Sequence, residues 1–486
     1  MSDQAVAQTT DQTNELDTTE PIGCVNGVCH DDELGFDQPT NLSEAELDAL
    51  VDRTMARVEK LRGQKFTEEV PVDVRSREEF RDSGLQGNTS ANETFNRWND
   101  QVWEALFVIG ETNSSAETID QTVGESVAGF YQPTEDQIVI ITATPNSPTV
   151  NEKTLLHELN HALQDQRHDL TQPQYRGETQ DSDLAVDGAI EGESVYLEYL
   201  YEDRCQSGEW TCFDEPETNA GGNASAPTSN IGVLVLLLQP YSDGPTYIHE
   251  LRAEEGWEGV NESIASPPST TAEIIHREPV ESSTLNVSDE ATDGWQRYPD
   301  QGIGGAEVAG EASIYVMLWY QAAQYGADTI DPNSLRDTTN EYDRFNYVSE
   351  PSEGWVADKL YPYKRGSDDG YVWTTEWETA EDATEFQQAY GAILNAHGAT
   401  ETDSGAYVIS EGNFSGAYGV DVTDKQVTIV HAPTEAGLFE LRPSLEPASV
   451  AQDEPGITVN DIPGFGAVAA VVGLLTLAAA GRRRTA

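Results

Sequence analysis

The sequence predicts an α+β fold: a mixed sheet flanked by long helices, a helical extension, and a small C-terminal α/β unit. Three patterns carry this expectation. Apolar residues recur at helical spacing over 43–62, 149–167 and 183–203. Short β-branched and aromatic runs occupy 127–131 and 138–142, with a turn near Pro133 between them. Towards the C-terminus, 371–377 reads as strand, 381–397 as helix and 426–431 as strand. A hydrophobic fraction of 37%, with Trp 9 and Tyr 19, supplies enough apolar material for a core and excludes an acidic disordered chain.

In chain order, residues 1–40 are polar and acidic without apolar periodicity, and a flexible tail with one small disulfide loop is expected. Segment 41–95 follows. Within it, 43–62 places Leu47, Leu50, Val51, Met55 and Val58 on one helix face, and 69–74 alternates like a strand. The main domain is expected over 96–345. It opens with a strand or core segment at 103–110 and the hairpin 127–142. Thr149-Val150-Asn151-Glu152 has the form of a capping box that starts the 149–167 helix. Gly, Pro, Asn and Ser dominate 209–230, a loop. The apolar run 231–238 is too short to cross a bilayer and belongs in the core. A helix-rich part then runs to about 325 and includes 311–320. The C-terminal unit is set at 346–433, a Pro- and Glu-containing linker at 434–461, and a sorting or anchor segment at 462–486. No internal repeat and no EF-hand loop is present.

His157-Glu158-Leu159-Asn160-His161 forms an H-E-x-x-H motif inside the 149–167 helix. Residues four apart share a helix face, so the two imidazoles point the same way and make half of a tetrahedral zinc site. Glu158 lies about 100° round the helix, where a general base for zinc-bound water belongs. With His 8 in 486 residues, the motif is rare by chance. No proline or glycine interrupts the run, and both spacer residues are uncharged. A zinc enzyme needs a third protein ligand and an open fourth position. Glu191, within Gly188-Ala189-Ile190-Glu191-Gly192-Glu193-Ser194, is the first choice, because the small residues beside it let a second helix approach the first. Glu193 is the alternative ligand, on a different helix face. Asp187, one turn before Glu191, is suited to accept a hydrogen bond from a ligand histidine.

His157 to Gln166 reads H-E-L-N-H-A-L-Q-D-Q, and Ala189 to Ser194 reads A-I-E-G-E-S. Both stretches resemble the gluzincin clan of zinc peptidases, where a glutamate on a downstream helix completes the site. More narrowly, the chain is similar to a family of secreted haloarchaeal surface proteins that combine the H-E-L-x-H-A-L-Q-D-Q helix with a P-G-F sorting tail. The likeness runs from about Ser43 onward and includes 244–260 and the block from Pro267 to His276. It implies a zincin-like core, a Zn2+ cofactor held by His157, His161 and Glu191, and a strand ahead of the motif helix that pairs with extended peptide or protein substrate. The 127–141 hairpin suits that role. An oxyanion donor is expected at His276, which ends the Pro-Pro-Ser-Thr block, or at Tyr131, beside the substrate strand. One departure stands out. The best-studied gluzincins carry an acid four residues after the glutamate ligand, and this chain has Val195 there.

The chain carries 26 basic and 87 acidic residues, a formal charge of −61. Such a charge destabilises a compact state through self-repulsion, which molar salt screens by shortening the Debye length to about 3 Å. A hypersaline environment follows. A basic face is missing, so nucleic-acid binding is excluded. Cys24 with Cys29, and Cys205 with Cys212, are spaced for two short-loop disulfides rather than a zinc ribbon, and these indicate an oxidising exterior. N-x-S/T sequons spread from Asn41 to Asn413 suit a glycosylated surface protein.

The C-terminal residues join Pro463-Gly464-Phe465 to an apolar stretch and to Arg482, Arg483 and Arg484, which favour the cytoplasmic side. Together they resemble a PGF-type sorting signal. The resemblance implies an archaeosortase-type processing enzyme as partner, and attachment to the membrane through this segment or a lipid anchor. At the other end, Met1-Ser2-Asp3-Gln4 has no basic region and no apolar core. Ala5-Val6-Ala7 resembles the end of a secretory signal, and the expectation is a leader encoded upstream.

The function expected is that of a secreted, surface-anchored zinc metallopeptidase of a halophilic archaeon, with Glu158 as general base. The alternatives are a catalytically silent surface glycoprotein that retains the fold, and a purely structural metal. The charge balance gives a direct test. The thermal unfolding midpoint of the full chain should climb steadily as KCl rises from about 0.1 M to molar levels, and a midpoint independent of salt would refute the screening argument.

Overall fold

Short polar residues ahead of apolar runs start the helices, and hairpin-length connections make nearly every strand pairing antiparallel. The computed structural model describes residues 16, 19–82, 92–123, 129–214, 230–281 and 283–445. In chain order the elements are β1 (Cys24–Val25), β2 (Val28–Cys29), α1 (Glu44–Arg62), β3 (Val72–Arg75), α2 (Arg77–Asp82), α3 (Glu93–Ala105), α4 (Ser115–Val123), β4 (Gly129–Gln132), β5 (Gln137–Ile141), α5 (Glu152–His168), α6 (Gln180–Gln206), α7 (Ile231–Leu237), α8 (Pro240–Ala265), α9 (Thr271–His276), β6 (Gln296–Arg297), α10 (Gly310–Tyr325), β7 (Trp355–Arg365), β8 (Asp368–Trp377), α11 (Ala380–Ala396), β9 (Thr400–Glu401), β10 (Tyr407–Ile409), β11 (Gly416–Thr423), β12 (Gln426–Ala432) and α12 (Glu435–Leu441). The fold class is α+β, as the periodicity predicts. Residues 1–446 cluster as one compact unit, and a second unit, 447–486, lies outside the described residues. Among the described residues no helix is long and apolar enough to cross a membrane.

The motif helix α5 starts later than expected. Asn151 alone caps it, accepting from the backbone N–H of Lys153 at 2.9 Å and of Thr154 at 3.3 Å. These orphan donors are thereby satisfied without Thr149. Thr179 caps α6 through Ser182. The segment 103–110 is not a strand. It is the end of α3 and the turn after it, buried at every residue. Residues 124–128 lie outside the described set, so the expected run 127–131 is seen only from Gly129.

The three-stranded sheet has the order β3-β5-β4. β3 runs parallel to β5, β4 runs antiparallel to it, and β4 is an edge. One hydrophobic core joins α1, β5, α5, Leu197 and Tyr201 of α6, and Trp210. α1 is therefore integral to the domain that carries the motif. Its arginines enter that core: Arg53 and Arg57 donate to one oxygen of Glu152 at 2.9 and 2.8 Å, and Tyr201 donates to the other at 2.9 Å. Arg62 pairs with Glu193 of α6.

The seven-stranded sheet has the order β6-β7-β8-β12-β11-β10-β9, with every pairing antiparallel. It corrects the expected C-terminal α/β unit, because parallel strands need crossovers and these strands are joined mostly by short turns. It also begins at Gln296, well before 346. A second core runs from Trp98 and Val102 of α3 through α7 and α10 to Trp373, Phe386 and Ile429, and so crosses the boundary expected at 345/346. The expected linker at 434–461 starts as structure: α12 packs against β11 and β12. Residues 446–461 and the sorting segment 462–486 lie outside the described residues.

Both expected disulfides are present, Cys24–Cys29 and Cys205–Cys212. The first closes the β1–β2 hairpin, which rests on α1: Gly23 N–H donates to Glu59 at 2.9 Å and Val25 is buried. The described part of 1–40 is thus a docked hairpin rather than a free tail.

α6 and α8 form the closest helix pair. A Cβ on Gly192 would lie 2.5 Å from the carbonyl carbon and 2.7 Å from the Cα of Gly244, and one on Gly244 would lie 2.8 Å from the Cα of Gly192. The small residues around Glu191 therefore admit α8, not α5 as expected. α8 breaks at Gly256, whose φ of 72° suits glycine. Gly192→Ala should cost about 1–3 kcal/mol through overpacking, read from the urea midpoint. Gly391→Ala, on α11 with open space around it, should instead stabilise by roughly 0.5–1 kcal/mol. Equal effects would contradict the packing assignment.

Candidate metal centre

α5 and α6 bring three expected residues together. The donor atoms of His157, His161 and Glu191 lie within 4.8 Å of one another, and among the described residues no other such group of His, Cys, Asp or Glu occurs. Glu191 Oε2 stands 3.0 Å from His157 Nε2 and 3.3 Å from His161 Nε2. A tetrahedral ion with bonds of about 2.0–2.1 Å spaces its ligands by roughly 3.3 Å, so the donor set fits zinc. The two ligand helices touch directly beside the cluster, where Asn160 Nδ2 donates to Ser194 Oγ at 2.9 Å. The side chains are 12%, 9% and 20% exposed for His157, His161 and Glu191, which leaves one side open at Glu191.

Each histidine is oriented by a second group. His157 Nδ1 donates to Glu198 Oε1 at 2.8 Å. His161 Nδ1 donates to Gln164 Oε1 at 2.9 Å, with Ser194 Oγ at 3.4 Å. With Nδ1 of each ring committed to these acceptors, Nε2, the nitrogen facing Glu191, is the atom that would ligate a cation. Glu198 lies two turns after Glu191 on the same face of α6. It fills the supporting role that Val195 leaves empty, and it displaces the expectation that Asp187 supports a ligand histidine. Among the described residues Asp187 shows no hydrogen bond to either imidazole; burial, then Glu191, push its pKa well above the usual carboxylate value.

Burial disfavours charge on His157, but hydrogen bonds to Glu191 and Glu198 outweigh it and hold the imidazole well above its ordinary pKa. Burial likewise opposes Glu191, yet His161 and His157 hold its carboxyl well below the usual range. Glu158 is 8% exposed; burial raises its pKa, while both histidines and the Tyr131 N–H work against the rise. The cluster thus crowds carboxylates around two bases, an arrangement that a divalent cation would neutralise.

Tyr131 reaches the site through its backbone. Its N–H donates to Glu158 Oε2 at 2.8 Å, whereas its phenol donates to Asp165 at 2.6 Å. Two expectations are corrected. His276 is not brought to the cluster: its Nε2 lies 2.8 and 2.9 Å from the two oxygens of the buried Glu311 on α10. Glu193, the alternative ligand, is 0% exposed and is engaged by Arg62 and by Gln164 Nε2 at 2.6 Å.

Sequence reasoning missed Tyr241. Its ring lies parallel to His157, with centroids 6.4 Å apart at 14°. Burial, then the charges of Glu191, Asp187 and Glu158, keep its phenol protonated well above its ordinary pKa. No local signal marks Tyr241, since α8 comes beside the cluster through packing on α6 that includes the Gly192–Gly244 contact. Glu198 carried a signal, its seven-residue offset from Glu191.

A family model described as a domain of unknown function (DUF8575) matches residues 296–442. That is less than a third of the chain. The match spans β6 to α12, the seven-stranded sheet and its helices, and does not include His157, His161 or Glu191. No curated protein and no solved structure matches the chain. Glu198→Leu, which strips His157 of its acceptor, should weaken zinc binding by about 10–100-fold in a competition titration against a chelator. Unchanged affinity would remove Glu198 from the site.

Proposed function

We propose that the chain is a zinc-dependent peptide hydrolase built on a zincin-like core of β3, β4, β5, α5 and α6. One observation carries the reading: two imidazoles and a carboxylate from adjacent helices converge, with a fourth side chain, the acidic Glu158, pinned beside them by a strand-edge amide.

His157, His161 and Glu191 would hold the ion. When bound, zinc supplies Lewis acidity, polarising a carbonyl and bringing the pKa of a water to about 7. The remaining work falls to the chain. Glu158 takes the proton of the attacking water at its carboxylate, and burial moves its pKa towards the value such a base needs. Tyr131 N–H fixes the carboxylate's orientation. Among the described residues β4 is an edge of its sheet, with the Tyr131 N–H turned to Glu158, which suits an extended peptide adding as a further strand. Tyr241 keeps its proton and serves as the donor to the developing oxyanion. The charge of −61, two short disulfides and the resemblance of the tail to a PGF-type signal support a place at the exterior of a salt-adapted cell, anchored through 462–486 or a lipid.

In molar salt, Glu158→Gln should bind zinc like the native chain and lose about 10²–10⁴-fold in peptide cleavage. Tyr241→Phe should lose about 10²–10³-fold in kcat with KM little changed. A zinc-loaded native chain that cleaves neither unfolded casein nor a mixed peptide library would overturn the proposal.

A further inference from the structure

His161 is tied, through two consecutive side chains, to a residue on a third helix. His161 Nδ1 lies 2.9 Å from Gln164 Oε1. The Gln164 amide donates from Nε2 to two oxygens, the backbone carbonyl of Ile190 at 3.0 Å and Glu193 Oε2 at 2.6 Å. Both oxygens accept from the amide, and the backbone carbonyl can do nothing else. Turning the amide over would set its oxygen against both. The amide is therefore locked with its oxygen towards His161, and an oxygen there accepts only from a protonated Nδ1. That leaves the His161 lone pair on Nε2, facing Glu191.

Glu193 is held in turn by a partner of its own. The carboxylate is 0% exposed, and its other oxygen meets Arg62 Nε of α1. Arg62 is itself held: it donates to Asn261 Oδ1 at 2.7 Å and lies 4.1 Å from the ring centre of Trp257. A buried ion pair of this kind contributes little to net stability and can fix a conformation instead.

We propose that Arg62 and Glu193 are positioning residues that fix the tautomer of His161 through Gln164. The inference rests on the zinc reading for its consequence, though not for its geometry. α1 thereby sets the readiness of a metal ligand that it does not touch. Glu193, beside Glu191 in sequence, belongs to the support of the site and not to its ligand set.

The test uses the full chain in molar salt, with Gln164→Leu and the double variant R62M/E193L, which replaces the ion pair with apolar side chains of similar reach. Thermal melts establish that each variant folds, and E193Q serves if the double variant does not. Two readouts are taken. Imidazole nitrogen NMR of the metal-free protein at alkaline pH, where the rings are neutral, reports the tautomer. A competition titration with zinc alone reports affinity. The native chain should show a single Nδ1-protonated tautomer for His161. Gln164→Leu and the double variant should each show mixed tautomers and zinc affinity lower by about 10–100-fold. A single Nδ1–H tautomer and native affinity in the folded double variant, or in folded E193Q, would overturn the proposal. The tautomer readout needs neither metal nor substrate, so it separates this inference from peptide hydrolysis: a chain that cleaves nothing could still show the relay, and an active peptidase could lack it.

Discussion

Buried arginines on α1 hold the two ligand helices in register. Arg53 and Arg57 close on Glu152, the first residue of α5, and Arg62 closes on Glu193, two residues past the carboxylate of the cluster. Tyr201 of α6 completes the Glu152 site, so three helices meet on one carboxylate. Removing one partner of such a pair strands a buried charge at a cost of about 3–5 kcal/mol. The distances inside the cluster depend on these contacts, because a small rotation of α6 against α5 would separate Glu191 from the imidazoles. α1 is thus part of the site's foundation, although it lies a hundred residues before the motif.

The use of charge follows from the same constraint. A chain with 26 basic and 87 acidic residues has few cations to spare, yet three arginines of α1 are almost fully buried. They sit where unpaired carboxylates would cost most. At the cluster itself no arginine or lysine approaches the ligands among the described residues. Glu158, Glu191, Glu198 and Asp187 crowd around two imidazoles, and burial raises the pKa of Glu158 and Asp187. A divalent cation would relieve that surplus directly, which links the acidity of the site to the chemistry proposed for it.

The motif, its helix and Glu191 were legible because each depends on local spacing: four residues between histidines, and a helix long enough to carry a ligand. The β4–β5 hairpin, the α1 face and both disulfides were legible for the same reason. What escaped depends on contacts between elements distant in sequence. Tyr241 enters through a glycine–glycine contact of α6 with α8, and no pattern around residue 241 announces it. His276 reads as chemistry in a Pro-Ser-Thr block, but the fold gives it to Glu311. The C-terminal sheet was misjudged at its start because β6 is two residues long and the sheet shares a core with α3 and α10. Glu198 lay within reach of sequence reasoning, which looked four residues past Glu191 instead of seven.

The central claim is that one cation binds between α5 and α6. Crystals of the full chain grown with zinc, and measured on both sides of the zinc absorption edge, test it most directly. The account predicts one anomalous peak bonded to His157 Nε2, His161 Nε2 and a Glu191 oxygen at about 2.0–2.2 Å. Density without a peak between those three side chains, or a peak held by other residues, would contradict it.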